Sequence, residues 1–356
     1  MQTALFFVSP FVALLASFLV IAVIRFLDVI EREPWWAIAV SFVIGLMTVI
    51  PAIVLSLLGS VFWTELLGPD APLEMLATVV TAPMVEEAVK AGGVLLLLLV
   101  IRREMGSLTD FVVYACVVAV AFEFCENTLY LWSRLSTPEG SALAWLAEFN
   151  ARTVASAGMH ALYSAWIGFG MWCLVRGRGL IRWITSVGGF TLAVLLHALN
   201  NLAALLSNVG DPGIITVVNH FGSTIGAISN IVEMALFMAL IGSAVFEDLH
   251  VLAEFGLVLQ QHLQIFDEQK RLSALQRLYA FINPFHHLLA HNRFTWDISP
   301  LARRSPLARR SPVGRAEYAR FARAALHHRS VTHDEQNDLD IGLGLLLSGS
   351  DSVVTT

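Results

Sequence analysis

Charge is what this chain has least of. Only 14% of its 356 residues are Asp, Glu, Lys or Arg, while 56% are hydrophobic. A soluble globular chain carries roughly a quarter charged residues, so an ordinary water-soluble fold is excluded. Cysteine is equally scarce. Cys116, Cys125 and Cys173 lie in apolar runs without metal-type spacing, which leaves no disulfide framework and reads as small core residues. There is no HExxH, no GxSxG and no glycine-rich phosphate loop, so the common soluble zinc-peptidase, serine-hydrolase and nucleotide-binding patterns are missing. No inverted repeat of the broken-helix kind found in transporters is visible. A net charge of −6 gives no case for nucleic acid as a partner. The N-terminus lacks the basic region of a removable signal peptide, and its first apolar stretch is long enough to span.

What the chain has instead is long apolar runs. Crossing the hydrocarbon core takes about 20 residues, and backbone in lipid satisfies its own hydrogen bonds as helix. Such runs fall at residues 4–24, 35–61, 76–101, 111–132, 154–175, 183–206 and 223–246. The expected fold is therefore an all-α polytopic membrane protein with about seven transmembrane helices. One alternate set of loops holds Arg25, Arg32, Arg102, Arg103, Arg176, Arg178 and Arg182, and the other only Arg134 and Arg152. The positive-inside rule then places the chain in the cell membrane with its N-terminus extracytoplasmic and its C-terminal tail cytoplasmic. Charge thickens after residue 246, which divides the chain into a membrane body (1–247), an amphipathic helical segment (248–295) and a mostly disordered tail (296–356). The tail carries the repeat LARRSP at 301–306 and again at 307–312, a composition that builds no core. His286, His287 and His291 in the same region read as a solvated face rather than a metal site.

Ionisable side chains at membrane depth are costly, and each is a functional hypothesis. The third run carries Pro83, Glu86, Glu87 and Lys90, with Glu86 and Lys90 one turn apart. A Glu–Lys pair explains one carboxylate and leaves its neighbour unexplained. Adjacent buried carboxylates repel, the arrangement that poises one of them for general-base work. The fourth run carries Phe122, Glu123, Glu126, Asn127 and Tyr130. The fifth has Arg152, Ser156, His160 and Ser164 at intervals of four, and the sixth has His197, Asn200 and Asn201. Counted inward at about 1.5 Å per residue, Glu86 and Glu87 lie about eleven residues deep, Glu126 and His160 about seven, and His197 about ten. All fall in the outer half of the membrane or near its middle. Glu233, in the last run, pairs with nothing in the pattern and reads as structural.

Glutamates and histidines converging in a polar pocket suit two kinds of site. One is a hydrolytic centre, with Glu activating water and His or Glu holding a metal or the water itself. The other is an ion or proton pathway. The residues alone leave both open.

Four segments carry a family resemblance. PMVEEAVK (83–90) resembles the EExxK motif of the PrsW family of intramembrane proteases, and FEFCENTLY (122–130) resembles that family's FxxxEN followed by Tyr. Arg152 with His160, and HALNN (197–201), are similar to its remaining two motifs, in the same order. The family is related to the CAAX prenyl endopeptidases and bacteriocin-processing enzymes. Glu126 stands where those relatives have the His of FxxxH, which favours PrsW. The resemblance implies an intramembrane endopeptidase acting on membrane-embedded or membrane-adjacent proteins, in the manner of anti-sigma-factor cleavage. A single-pass membrane protein is the implied substrate and membrane lipid the surroundings. It implies Glu86 or Glu87 as general base, Glu126, His160 and His197 as ligands of a divalent metal (zinc) or of the water in a metal-free glutamate mechanism, and Asn201 as oxyanion donor. Lys90 balances the Glu pair, Asn127 and Tyr130 support, and Arg152 sits at the outer mouth. The competing expectation is an ion- or proton-coupled transporter built on the same cluster.

Overall fold

The computed structural model describes residues 2–28, 33–136, 141–207 and 215–262, and among them there is helix but no strand. The elements are α1 (Gln2–Leu27), α2 (Trp35–Leu67), a single turn α3 (Leu73–Met75), α4 (Ala82–Val100), α5 (Leu108–Ser136), α6 (Ala142–Glu148), α7 (Met159–Arg176), α8 (Ile181–Ser207) and α9 (Ile215–His262). Two π-helical stretches interrupt the pattern, Leu76–Thr81 ahead of α4 and Phe149–Ala155 ahead of α7.

Among the described residues five helices are long and apolar enough to cross a membrane: Gln2–Leu27, Trp35–Leu67, Leu108–Ser136, Ile181–Ser207 and Val217–Phe246. These correspond to the first, second, fourth, sixth and seventh runs of the sequence. The chain is thus an all-helical, multi-pass membrane protein. The third and fifth runs appear as α4 and α7, of 19 and 18 residues. Both are helical, but α4 carries three charges and α7 is shortened at its start. Large apolar side chains cover the outward faces, with Phe11 71%, Ile50 70% and Leu99 76% exposed. Such surfaces are at home in lipid rather than water.

The helix α5 lies at the centre of the bundle. Nearly every side chain over residues 108–123 is buried, because α1, α2 and α7 all pack against it. Glycine makes the close approach possible. A Cβ on Gly45 of α2 would meet the Val118 carbonyl at 2.5 Å, and one on Gly168 of α7 would meet the Phe111 carbonyl at 2.5 Å. Small residues at helix contacts are the usual means of close packing where the hydrophobic effect gives no net drive. α7 also packs along α8, and α4 along α2 and α8.

Two local departures from the sequence expectation follow from backbone geometry. The fifth run is not one helix from residue 154. The π-helical stretch ends in a turn at residues 156–158, and Gly158 at φ +80° starts α7. That left-handed conformation is open to glycine and costly for other residues. The short α6, capped by the Ser141 hydroxyl accepting from the Ala144 N–H, was not signalled by any long apolar run.

The chain divides into two compact units, the first holding Met1–Leu27 and Glu33–Ile241 and the second Asp28–Arg32 and Gly242–Thr356. Everything below concerns the first. Of the segment 248–295, residues up to 262 continue α9, and the remainder, with the whole region 296–356 and its repeat, lies outside the described residues.

Candidate active site

The site is assembled from four helices. α4 contributes Glu86, Glu87 and Lys90, with Pro83 in its first turn, where a missing N–H is harmless. Lys90 is fully buried, and its ammonium has three neighbours: Glu87 Oε1 at 2.8 Å, His160 Nδ1 at 2.8 Å and Glu86 Oε2 at 3.5 Å. It also lies 4.4 Å from the centre of the Phe122 ring. Those contacts occupy all the donors that an ammonium has.

The two glutamates are not equivalent. Glu87 is fully buried and engaged through both oxygens. It accepts from Lys90, from the Ser164 hydroxyl at 2.7 Å through its second oxygen, and faces His197 Nδ1 at 2.9 Å. Glu86 is partly open, and its Oε2 stands 3.9 Å from His197 Nε2 and 4.0 Å from His160 Nδ1. Those gaps are too long for hydrogen bonds and about right for something small held between them.

α7 supplies His160 and Ser164, and α8 supplies His197. The His160 ring has Lys90 on Nδ1 and Glu126 Oε2 at 2.9 Å from Nε2. Lys90 can only donate, so Nδ1 accepts and the ring proton sits on Nε2, toward Glu126. The same logic puts a proton on His197 Nδ1, toward the Glu87 carboxylate, and leaves its Nε2 lone pair aimed at the Glu86 side. The two imidazoles meet edge to face with centroids 4.9 Å apart.

The remaining expected residues are placed as follows. Glu126 accepts from Arg152 at 3.0 Å. Arg152 also pairs with Glu148 at 3.3 Å and lies 3.4 Å above the Tyr130 ring. Arg134, half exposed, closes the chain on Glu148 at 2.8 Å. A continuous series of charges therefore runs from the surface, Arg134–Glu148–Arg152–Glu126, to His160. Asn201 donates one N–H to the Thr78 carbonyl at 2.9 Å, tying α8 to the first π-helical stretch. Asn127 is buried next to Glu126 in the chain and makes no hydrogen bond to the cluster among the described residues. Glu233 is buried and takes the Ser229 hydroxyl at 2.6 Å.

One residue at the centre of the cluster was not singled out from the sequence. Tyr163 stacks on the His197 ring, 5.0 Å and 16° away, and meets His160 edge-on at 5.8 Å. The signal was its position three residues after His160 on the same helix, which puts both on one face.

Ligand atoms of Glu86, His160 and His197 all lie within 4.8 Å of one another, a set of metal-binding composition. One carboxylate and two imidazoles are also the donors of soluble zinc peptidases of the thermolysin kind. The set differs from the expected Glu126, His160 and His197 in its carboxylate. Buried among apolar helices, the set has a composition that could hold a divalent metal. The model of the PrsW family of intramembrane metalloproteases matches residues 33–249, more than half of the chain. The chain belongs to that family and is a peptide-bond hydrolase of the membrane. No curated protein and no solved structure matches it.

Proposed function

We propose that the chain is an intramembrane endopeptidase that cleaves membrane-embedded or membrane-adjacent segments of single-pass proteins, with Glu86 as the base that activates water. The observation that carries this is the open geometry of Glu86 opposite two imidazoles, beside a Glu87 whose oxygens are already taken. Glu86 Oε1 makes no hydrogen bond among the described residues and is the oxygen left to take a proton from the attacking water and return it to the leaving amine. His197, held by Glu87 through Nδ1, presents Nε2 to the water. Glu126, itself held by Arg152, orients His160. Asn201 has a second N–H for the developing oxyanion, a contact worth about 3 kcal/mol in a soluble protease.

The donor set fits a divalent cation, zinc by its composition, and a cation already lies among its members, since the Lys90 ammonium touches His160 and approaches Glu86. With an ion present, Glu86, His160 and His197 would hold it, and Glu86 would then serve as a ligand in place of its role as base. Bound there, zinc supplies a more acidic water and a Lewis acid for the scissile carbonyl. His160 would take part once its Nδ1 is released from Lys90.

α4 and α7 complete a seven-span arrangement in this reading. At 1.5 Å per residue they reach about 28 and 27 Å, close to the thickness of the hydrocarbon core. The loop arginines support an extracytoplasmic N-terminus. Regulated proteolysis of the anti-sigma-factor kind is the physiological role we infer.

The test is cleavage of a single-pass reporter by purified protein in liposomes, with metal content measured on the same samples. Glu86→Gln and His160→Ala should abolish cleavage while the protein stays folded. Full activity in both would end the assignment. Ion flux lost in Glu86→Gln with no proteolysis by the wild type would favour the transporter.

A further inference from the structure

Glu123 is an ionisable residue buried at membrane depth with no part in the chemistry above. It stands between the Phe and the Glu of the FxxxEN-like segment, at a position the motif does not specify. A buried carboxylate in lipid is expensive, and an apolar side chain would fill the same space without that penalty. Its surroundings show what it holds. Glu123 Oε1 accepts the backbone N–H of Gly158 at 2.9 Å, and its Oε2 is buried without a partner among the described residues.

Gly158 is the N-cap of α7, the helix that begins at Met159 and presents His160 in its first turn. The first N–H groups of any helix have no acceptor within it, and a Ser, Thr, Asp or Asn side chain at the cap normally supplies one. Here the backbone demands φ +80°, so the cap is glycine and has no side chain to offer. A Cβ at this position would also lie 2.9 Å from Val20 of α1. What another helix supplies is an acceptor for the N–H of Gly158 itself, which fixes the cap residue in place. A carboxylate suits the place, since helix N-termini favour negative charge.

The spacing of α5 gives this cap a second consequence. Glu123 and Glu126 are three residues apart and share the face turned to α7. Glu126 meets the His160 ring at Nε2, 2.9 Å away, while Glu123 holds the backbone two residues upstream. His160 is thus fixed at two points by one helix, just beyond a turn made of Ser156, Ala157 and Gly158.

We propose that Glu123 is a positioning residue for peptide hydrolysis: its carboxylate anchors the cap residue Gly158 through that residue's own N–H and so sets His160 against Glu86 and His197. This rests on the reading of His160 as part of the site.

Reporter cleavage by the full chain in liposomes tests it. A misplacement of about 1 Å at a reacting group costs on the order of a hundredfold in rate, so Glu123→Ala should lower kcat by about ten- to a hundredfold with KM unchanged. Two further variants separate reach from charge. Glu123→Gln keeps an oxygen at the same reach and should regain most of the lost kcat. Glu123→Asp keeps the charge but withdraws it by one methylene, and should remain impaired. Glu123→Asp matching or exceeding Glu123→Gln would overturn the proposal, as would undiminished kcat in Glu123→Ala. The comparison of Gln with Asp stands even where the alanine variant does not fold. His160→Ala, run alongside, tests the underlying site separately. If it cleaves normally, the site assignment fails. If it is inactive while Glu123→Ala is normal, only the positioning role fails.

Discussion

Lys90 is the residue on which the electrostatics of the site turn. Two glutamates sit next to each other at a depth where either alone would be costly, and one ammonium with no exposure serves both. Removing one partner of a buried ion pair leaves an uncompensated charge and typically costs about 3–5 kcal/mol, whereas replacing both by apolar groups can be nearly neutral. Lys90→Met should therefore destabilise the protein by about that amount in denaturant titrations in detergent. Adding Glu87→Leu should recover a large part of the loss and leave the double variant inactive. Additive losses in the two single variants would show that Lys90 and Glu87 do not act as a pair. The motif PMVEEAVK exposed this trio in the sequence, since Glu86 and Lys90 lie one turn apart. The inequality of Glu86 and Glu87 was not legible. It depends on Ser164 and His197, residues more than seventy positions away that lie within hydrogen-bond distance of Glu87 and not of Glu86.

At the scale of elements, the apolar runs were easy to read because lipid forces the backbone into helix and leaves composition to mark the spans. The breaks were not. A π-helical stretch is a local change of hydrogen-bond register, and nothing in the pattern of Phe149–Ala155 sets it apart from α-helix. The interval of four that joined Arg152, Ser156, His160 and Ser164 assumed one unbroken helix. The structure turns the chain at residues 156–158 and still brings Arg152 to His160, through Glu126. The packing of elements offers its own test at Gly168. A methyl there would meet the Phe111 carbonyl at 2.5 Å and Val112 Cα at 2.8 Å, both backbone atoms of α5 that cannot turn aside. Gly168→Ala should cost about 1–3 kcal/mol, the range for overpacking. Gly92→Ala, with nothing within 4 Å, should be neutral or gain up to about 1 kcal/mol. Equal melting temperatures for the two variants would contradict the close approach of α7 to α5.

At the scale of the whole molecule, the proposed site draws only on residues that match the family. Every side chain assigned a role falls between Glu86 and Asn201, inside the matched residues 33–249. A chain ending after His262, where α9 ends, is expected to cleave the reporter at the full-length rate. A loss of turnover on removing residues 263–356 would show that the tail takes part in substrate binding or control. The same molecule-wide view explains why charge could be so scarce overall. Seven of the charged residues of the membrane body lie in one series of contacts, from Arg134 at the surface to Lys90, Glu86 and Glu87 at the centre.

The central place of α5 has a consequence for how the protein is made. Synthesis proceeds from the N-terminus, so α1 and α2 are available to cover α5 as soon as it emerges, but α7 is not. The face that carries Glu123 and Glu126 gains its partners only when the chain has grown from Ser136 to Arg176, a further 40 residues. At 5–20 residues per second that interval lasts roughly 2–8 s. For those seconds the nascent protein holds two carboxylates at membrane depth with neither Gly158 nor Arg152 in place. Over that interval α5 carries the cost of two unpartnered ionisable side chains at membrane depth, so the arrival of α7 sets how long that cost lasts.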